Sequence, residues 1–205
     1  MKLSLRYIAP IFTALLASTA SAQWVSHELS NVELGGGAIG QFTPVLPTHN
    51  GGARQTTSDS FGGEFSLKAH PFAWAGVEVN YGYTKFHEQF ATSTPTSTTT
   101  ASFQTHMHEV TGAYLFHPHI RHLQPFVAIG GGAIDFVPVN GGANQWRGTG
   151  LVETGFDIPT SNKHWGFRVQ GRGLFYRQPQ FYFKQFGKAD WVATVEPMVG
   201  VWYRR

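Results

Sequence analysis

Hydrophobic and polar residues alternate one by one along much of the chain. Phe65 and Leu67, for example, alternate with Glu64 and Lys68. Because successive side chains of a β-strand point to opposite faces, this pattern predicts strands with one apolar and one polar face. The pattern recurs in eight segments, at about 31–42, 59–70, 74–85, 103–116, 125–137, 148–158, 165–176 and 191–203.

The length of these segments separates a membrane barrel from a soluble sandwich. Each is about 10 to 14 residues long, as a tilted transmembrane strand requires, whereas strands in soluble proteins average about 5 or 6 residues. No segment beyond the N-terminal region has the roughly 18 consecutive apolar residues of a membrane helix. The sequence therefore predicts an all-β fold: an eight-stranded antiparallel up-and-down transmembrane β-barrel, with an interior just wide enough for side chains to fill.

The connections between the segments alternate in length. Short connections are predicted at 70–73, 117–124 and 159–164, and long ones at 43–58, 87–102, 138–147 and 177–190. Short periplasmic turns and long extracellular loops are typical of membrane barrels, so we expect four loops outside the cell and both termini in the periplasm. The threonine-rich stretch 92–100 is predicted to be a flexible, solvated loop.

The N-terminal region has the features of an export signal. Lys2 and Arg6 precede an apolar stretch at 7–17, and Ala20 and Ala22 form a cleavage pattern. We expect a signal peptide at 1–22 and one barrel domain at 23–205. The chain has no cysteine, which excludes disulfides and thiolate chemistry. Its net charge of +3 is spread out rather than gathered in a basic block, so nucleic acid is not expected as a partner.

One segment carries a family resemblance. Gln124, Pro125 and Phe126 open the fifth segment, and a glycine-rich alternation follows to Gly132. The chain resembles the small outer-membrane β-barrel family that includes the OmpA transmembrane domain and OmpX. This resemblance implies a bacterial outer-membrane location, contact with outer-membrane lipid and lipopolysaccharide, assembly by the barrel insertion machinery, and loops available to an extracellular ligand. It implies a structural or surface-interaction role, with a narrow pore or a lipid A-modifying enzyme as alternatives.

Charged residues recur on the polar faces of the segments. In a narrow barrel each buried charge needs a partner, so these residues predict an ion network in the lumen. Reflection across the short connection near Ser161 brings Glu153 close to Arg168 and Arg172, and reflection across the next loop brings Arg172 opposite Glu196. The predicted network consists of Glu64, Lys68, Glu78, Glu109, Glu153, Arg168, Arg172 and Glu196.

Two other kinds of motif are weaker evidence for a binding site. The stretch from Gly35 to Gly40 matches the dinucleotide fingerprint, but no helix can follow it, so we interpret its glycines as barrel-strand residues and expect no cofactor. His106 and His108 share a strand face and are weak candidates for a metal site, as is the turn cluster of His117, His119 and His122.

We expect no enzyme and no catalytic residue. Neither Ser66 nor Ser102, the serines on predicted strands, has a histidine two residues away that could act as its base. The tryptophans near strand ends are instead expected to form aromatic girdles at the two membrane interfaces. These residues are Trp74, Trp146, Trp165, Trp191 and Trp202.

Overall fold

The computed structural model describes residues 32–43, 46–47, 53–72, 74–94, 97–118, 124–139, 141–162, 164–179 and 191–204. The predicted signal peptide lies outside these residues. The strands, in chain order, are β1 (Val32–Gln41), β2 (Leu46–Pro47), β3 (Ala53–Thr57), β4 (Ser60–Phe72), β5 (Ala75–Thr94), β6 (Ser97–Phe116), β7 (Gln124–Pro138), β8 (Gln145–Pro159), β9 (Trp165–Arg177) and β10 (Trp191–Arg204).

Eight of the described strands close into a barrel. From β4 to β10 each strand pairs antiparallel with the next, and β1 completes the ring by pairing with both β4 and β10. Closure leaves no open sheet edge in the barrel wall, as a membrane-spanning sheet requires. The eight-stranded up-and-down prediction is confirmed, and most of the predicted strand bounds agree with the observed ones within three residues.

The largest departure from the prediction lies at the end of the barrel with the longer predicted connections, here called the loop end. The predicted loops at 43–58 and 87–102 contain strand: β5 continues to Thr94, β6 begins at Ser97, and β3 pairs with the extension of β5. We call this extension the projecting sheet. The prediction of a flexible threonine-rich loop was wrong where Thr92 to Thr94 pair with Ser97 to Thr99, because β-branched threonines favour extended backbone.

The outer surface of the barrel is apolar. Each strand of the wall contributes outward side chains that are at least two-fifths exposed, because no protein layer covers them. Such a surface suits the hydrocarbon region of a bilayer. One example from each wall strand, in chain order, is Leu34, Phe65, Val79, Val110, Ile129, Val152, Val169 and Val199.

Close backbone approach explains two glycines of the segment behind the family resemblance. A Cβ atom on Gly130 or Gly132 would lie 2.0 Å from a backbone oxygen of β6, that of Gly112 or Val110 respectively. Larger residues would therefore push β7 away from β6 in the wall.

Within the described residues, no helix is long and apolar enough to cross a membrane.

Candidate functional site: the barrel interior

Arg172 lies at the centre of one cluster of buried charges. It faces into the lumen from β9 and is 1% exposed. Its Nε donates to Glu153 Oε1 at 2.9 Å and its Nη1 donates to Glu196 Oε2 at 3.1 Å. The same guanidinium also donates to Glu64 and Glu109. One arginine thus contacts four carboxylates that reach it from four other strands, and we call these five residues the Arg172 cluster.

Polar side chains surround the Arg172 cluster. Asn80 Nδ2 donates to Glu153 at 3.2 Å, and Gln170 Nε2 donates to Glu64 at 3.1 Å. The Thr111 hydroxyl donates to Glu109 at 3.0 Å. Four carboxylates can accept more hydrogen bonds than the five N–H groups of one guanidinium can donate. The neutral donors supply some of the remaining hydrogen bonds.

A second cluster lies closer to the end with the shorter predicted connections, here called the turn end. Arg168 donates to Asp157 and, at 3.2 Å, to Glu33 Oε1, and its Nη1 lies 3.6 Å from Glu78 Oε1. Lys68 Nζ lies 3.3 Å from Glu78 Oε2. We call these five residues the Arg168 cluster.

An aromatic ring contributes to the Arg168 cluster. The Lys68 ammonium and the Arg168 guanidinium lie 4.8 and 4.7 Å from the centroid of the buried Phe126 ring. These are cation–π distances. The two cations therefore lie close together at one ring. The carboxylates of the cluster offset the repulsion between them.

All eight residues of the predicted lumen network are buried in the barrel, and each lies in one of the two clusters. The register places Arg172 directly opposite both Glu153 and Glu196, as reflection across the connections predicts. Sequence reasoning missed Glu33 and Asp157. Asp157 could have been found, since it follows Glu153 by four residues on the same strand face.

The lumen toward the loop end contains a group of packed apolar side chains, with polar side chains such as Gln41, Thr84 and Glu88 buried among them. Beyond the Arg172 cluster eight inward side chains are aliphatic or aromatic, and each is at most 4% exposed. Such side chains fill the space by close packing, without charges that need partners. We call this group the apolar plug: Phe86, Met107, Ile134, Phe136, Leu151, Leu174, Tyr176 and Val192.

The candidate metal-binding histidines point away from the lumen. His106 and His108 lie on the outer face of β6, where Nδ1 of each is 2.9 Å from a tyrosine hydroxyl, that of Tyr83 and Tyr81 respectively. Among the described residues no group of three His, Cys, Asp or Glu side chains could hold a metal ion. His119 and His122 lie outside the described residues.

His117 follows β6 at the turn end. Its ring lies 5.0 Å from that of His70, between ring centroids. Burial lowers the pKa of His117 to about 4, and the neighbouring His70 contributes in the same direction. The ring of His117 is therefore neutral at physiological pH.

The tryptophans divide between the two faces of the barrel. Trp74 and Trp165 are exposed at the turn end, and Trp146 and Trp191 are exposed at the loop end, as interface girdles would be. The prediction was wrong for Trp202, which is 1% exposed and donates from Nε1 to the Phe167 carbonyl at 3.2 Å. The alternation that points Tyr203 outward turns Trp202 inward.

Solved structures with the same architecture are known. Neisserial surface protein A superposes with a TM-score of 0.58 at 10% identity, covering 85% of this chain and 97% of that one. OprG from Pseudomonas aeruginosa gives 0.54 at 15% identity, with 85% and 95% covered. Ail from Yersinia pestis, in complex with the heparin analogue sucrose octasulfate, gives 0.50 at 13% identity, with 85% and 98% covered.

No protein-family model and no curated protein sequence matches this chain. At these low identities the structural likeness shows the fold, which is that of the small outer-membrane β-barrels, and a shared fold does not establish a shared activity. The barrel fold and its apolar outer surface support a location in the bacterial outer membrane.

Proposed function

We propose that this protein is a closed outer-membrane barrel with a structural or surface-interaction role, and that it presents its loop end to the outside of the cell. In this proposal the barrel wall anchors the chain in lipid, the filled lumen blocks large solutes, and the loop end meets extracellular partners. The role requires no catalytic residue.

The filling of the lumen is the observation that carries this proposal. The Arg168 cluster, the Arg172 cluster and the apolar plug follow one another along the barrel, and their members are buried. An eight-stranded barrel is narrow enough for side chains to fill it. A role in bulk transport through the lumen would require these three layers to move.

A surface role is supported by the projecting sheet and by one of the similar structures. The pairing of β5 with β6 extends to Thr94 and Ser97, well beyond the last β6–β7 pair, Thr105 with Pro138. The Ail barrel has been seen with a heparin analogue. By analogy, we propose that the loop end of this barrel contacts extracellular or lipopolysaccharide sugars.

The proposal of a closed, plugged barrel is tested by conductance. We expect the purified protein to change gel mobility on boiling, as a closed barrel does, and to show no large stable conductance in planar bilayers. An empty-micelle preparation is the control for detergent artefacts. Large, long-lived conductance steps from protein with the unboiled mobility would contradict the proposed plug.

The orientation is tested by tag accessibility. An epitope inserted between Thr94 and Ser97 should be labelled on intact cells, whereas one at Phe72 should be labelled only after the outer membrane is permeabilised. Both variants should show the same heat-dependent gel mobility. Labelling at Phe72 on intact cells would reverse the proposed topology.

A narrow pore is the second candidate, because some buried polar atoms in the ionic part of the lumen make no hydrogen bond to any residue that the structure describes. Glu109 Oε2, Glu153 Oε2 and Glu196 Oε1 are examples. Buried polar groups of this kind are commonly satisfied by water. Small, cation-selective conductance steps in planar bilayers would favour this candidate if they disappear when carboxylates such as Glu109 and Glu196 are replaced.

A further inference from the structure

Five polar side chains lie together on the outer face of β5 and β6. Tyr81, Tyr83 and Lys85 point outward in succession on β5, and Lys85 lies directly opposite His106 of β6. The Tyr83 hydroxyl is 2.9 Å from Nδ1 of His106, and the Tyr81 hydroxyl is 2.9 Å from Nδ1 of His108. The Tyr83 and His108 rings are 5.1 Å apart between centroids. We call these five residues the outer polar cluster.

The tyrosine contacts orient the two imidazoles. When a tyrosine hydroxyl donates to Nδ1, the neutral imidazole carries its proton on Nε2. The Nε2 atoms of His106 and His108 make no hydrogen bond to a residue that the structure describes, and Lys85 makes no ion pair there. The outer polar cluster therefore presents two N–H donors and one ammonium group, which is a suitable donor set for a phosphate group.

The outer polar cluster lies at the edge of the lipid-facing band. Toward the turn end, Val79 and Val110 are apolar and about half exposed, whereas in the other direction Lys85 and His87 are exposed and polar. Tyrosines such as those of the cluster are enriched at membrane interfaces. The ammonium group and the two imidazoles are therefore at the level where lipid headgroups meet the barrel wall.

A shallow depression in the wall lies next to the outer polar cluster, on its turn-end side. Small residues face outward there in two successive rows across β6, β7 and β8, and residues of the same row lie directly opposite one another. Neighbouring strands are about 4.8 Å apart, so three strands leave room for more than one hydrocarbon chain. We call these residues the depression: Gly112, Gly131, Ala133, Gly148 and Gly150.

Large side chains border the depression. Tyr114 and Ile129, in the next row toward the turn end, are 74% and 66% exposed, and Phe175 of β9 lies opposite Gly150. A Cβ atom on Gly148 would meet nothing within 4 Å, and one on Gly112 would meet only a carbonyl at 3.8 Å. Packing within the barrel therefore does not require glycine at these two positions, and the space that they leave opens toward lipid.

A buried carboxylate lies at the loop-end border of the depression. Asp135 of β7 faces outward opposite both His108 and Trp146, and it is 8% exposed. Its Oδ2 accepts from Asn144 Nδ2 at 3.2 Å, whereas its Oδ1 is buried without a hydrogen bond to any described residue. A buried carboxylate oxygen of this kind is stabilised when an O–H or N–H donor reaches it.

We propose that the outer polar cluster and the depression together bind one molecule of a phosphorylated glycolipid, lipid A, in the outer leaflet. Lys85, His106 and His108 bind its phosphate, and its acyl chains lie in the depression. A hydroxyl or amide N–H of its sugars donates to Asp135 Oδ1. A glycerophospholipid with one phosphate and two chains satisfies fewer of these groups. This inference rests on the proposed orientation, which places the loop end at the outer leaflet.

Lipid retention tests the chemistry of the site. Native mass spectrometry of the full chain in a non-ionic detergent should show one molecule of diphosphoryl lipid A bound. Dimyristoylphosphatidylglycerol should require about tenfold more lipid for half occupancy, because it has no amide N–H and fewer chains. Inorganic phosphate should not displace lipid A. Equal retention of phosphatidylglycerol, or displacement by inorganic phosphate, would overturn the proposal.

Orientation and lipid binding can fail separately. The measurement in micelles does not depend on which end of the barrel faces outside, whereas the epitope tags report orientation and do not depend on bound lipid. Labelling at Phe72 on intact cells would contradict the proposed orientation. Loss of lipid A retention with the tags as expected would contradict only the lipid site.

Variants of the outer polar cluster identify the phosphate-binding groups. Lys85→Gln combined with His106→Gln should raise the lipid A concentration for half occupancy about tenfold, since two donors to the phosphate are lost. The control Arg177→Gln removes another exposed cation at the loop end, on β9, and should change this concentration less than about twofold. With heat-dependent gel mobility unchanged, equal retention by the double variant and the unmodified protein would place the lipid elsewhere.

A second pair of variants tests the depression. Gly148→Leu should fold, because its side chain extends into open space on the outer face, and it should weaken lipid A retention about fivefold by occupying the place of an acyl chain. The control Ala38→Leu adds an apolar side chain to the outer face of β1, away from the depression, and should leave retention unchanged. Equal retention by the two variants would contradict the role of the depression.

Discussion

The two parts of the lumen differ in chemistry inside one continuous wall. Toward the turn end the lumen contains the ten charged residues of the Arg168 and Arg172 clusters, together with apolar side chains such as Phe126 and Trp202. Toward the loop end it contains the apolar plug, together with polar side chains such as Gln41 and Thr84. The outer surface is apolar beside the clusters and, on β8 to β10, beside the plug, whereas β5 carries the exposed polar residues Lys85 and His87 beside the plug. The bilayer therefore determines the outer face only where lipid contacts the wall, and the inner face can be filled by either kind of side chain.

This difference indicates separate contributions from the two parts. A buried ion cluster contributes little net stability relative to an apolar packing of equal volume, because desolvation offsets the attraction between its charges. An apolar plug stabilises the barrel by close packing and excludes water. We infer that the plug forms the main barrier to ions, and that the ionic clusters permit hydration of the rest of the lumen.

The largest expected effect comes from Arg172→Ala, which should reduce the free energy of unfolding by about 3–5 kcal/mol, because four carboxylates lose their shared partner. Urea unfolding in lipid vesicles measures the loss. The matched control is Arg147→Ala at the loop end, where the guanidinium binds Gln145 and is not enclosed by carboxylates; its effect should be much smaller.

Adding Glu196→Ala to Arg172→Ala should partly restore stability, because it removes one of the uncompensated charges. A double-mutant cycle gives the coupling energy of the pair, which should be about 1 kcal/mol or more. A coupling energy of zero would mean that the contact between these two residues is not energetically significant.

Within the apolar plug, Leu174→Ala should cost about 2–5 kcal/mol, because it leaves a cavity lined by packed side chains. It should also raise ion conductance when combined with Arg172→Ala, more than either change does alone. Planar-bilayer recordings of Leu174→Ala, Arg172→Ala and the double variant measure the ion conductance. If Arg172→Ala alone gave the full increase, the main barrier would lie in the ionic clusters and the inferred division would be wrong.

On the outer face, Val79→Arg should cost about 2–4 kcal/mol, since it places a charge in the lipid-facing band. The control is His87→Arg, on the same face of β5 but at a level where the outward residues Lys85, His87 and Gln89 are exposed and polar, and it should change stability by about 0.5 kcal/mol or less. Equal costs at the two positions, measured by unfolding in vesicles, would contradict a membrane boundary between these two levels.

The smallest effect is expected at the turn-end girdle. Trp165→Ala should cost about 1 kcal/mol, because the Trp165 ring pairs with Tyr203 at 4.8 Å between centroids but is half exposed. Trp202→Ala, a change to the buried tryptophan nearby, should cost about 3–5 kcal/mol. Comparable losses at the two positions would argue against the inward placement of Trp202.

The sequence determined which residues form the wall strands and which face each occupies, because alternation with a period of two is a local property of extended backbone. It also predicted the pairing of Arg172 with Glu153 and Glu196, since antiparallel neighbours are related by reflection across one connection. The sequence also predicted the strand bounds beside the short connections, because the alternation stops where the extended backbone ends.

Only the tertiary structure decided which residues of distant strands meet inside the barrel. Glu64 and Glu109 reach Arg172 from 108 and 63 positions away, and Glu33 reaches Arg168 after β1 closes the ring. In a closed barrel, the stagger and tilt of the strands determine which residues lie at the same height along the barrel axis. The alternation of apolar and polar residues carries no information about either quantity. The projecting sheet and the apolar plug likewise depend on how far each strand extends beyond its neighbours.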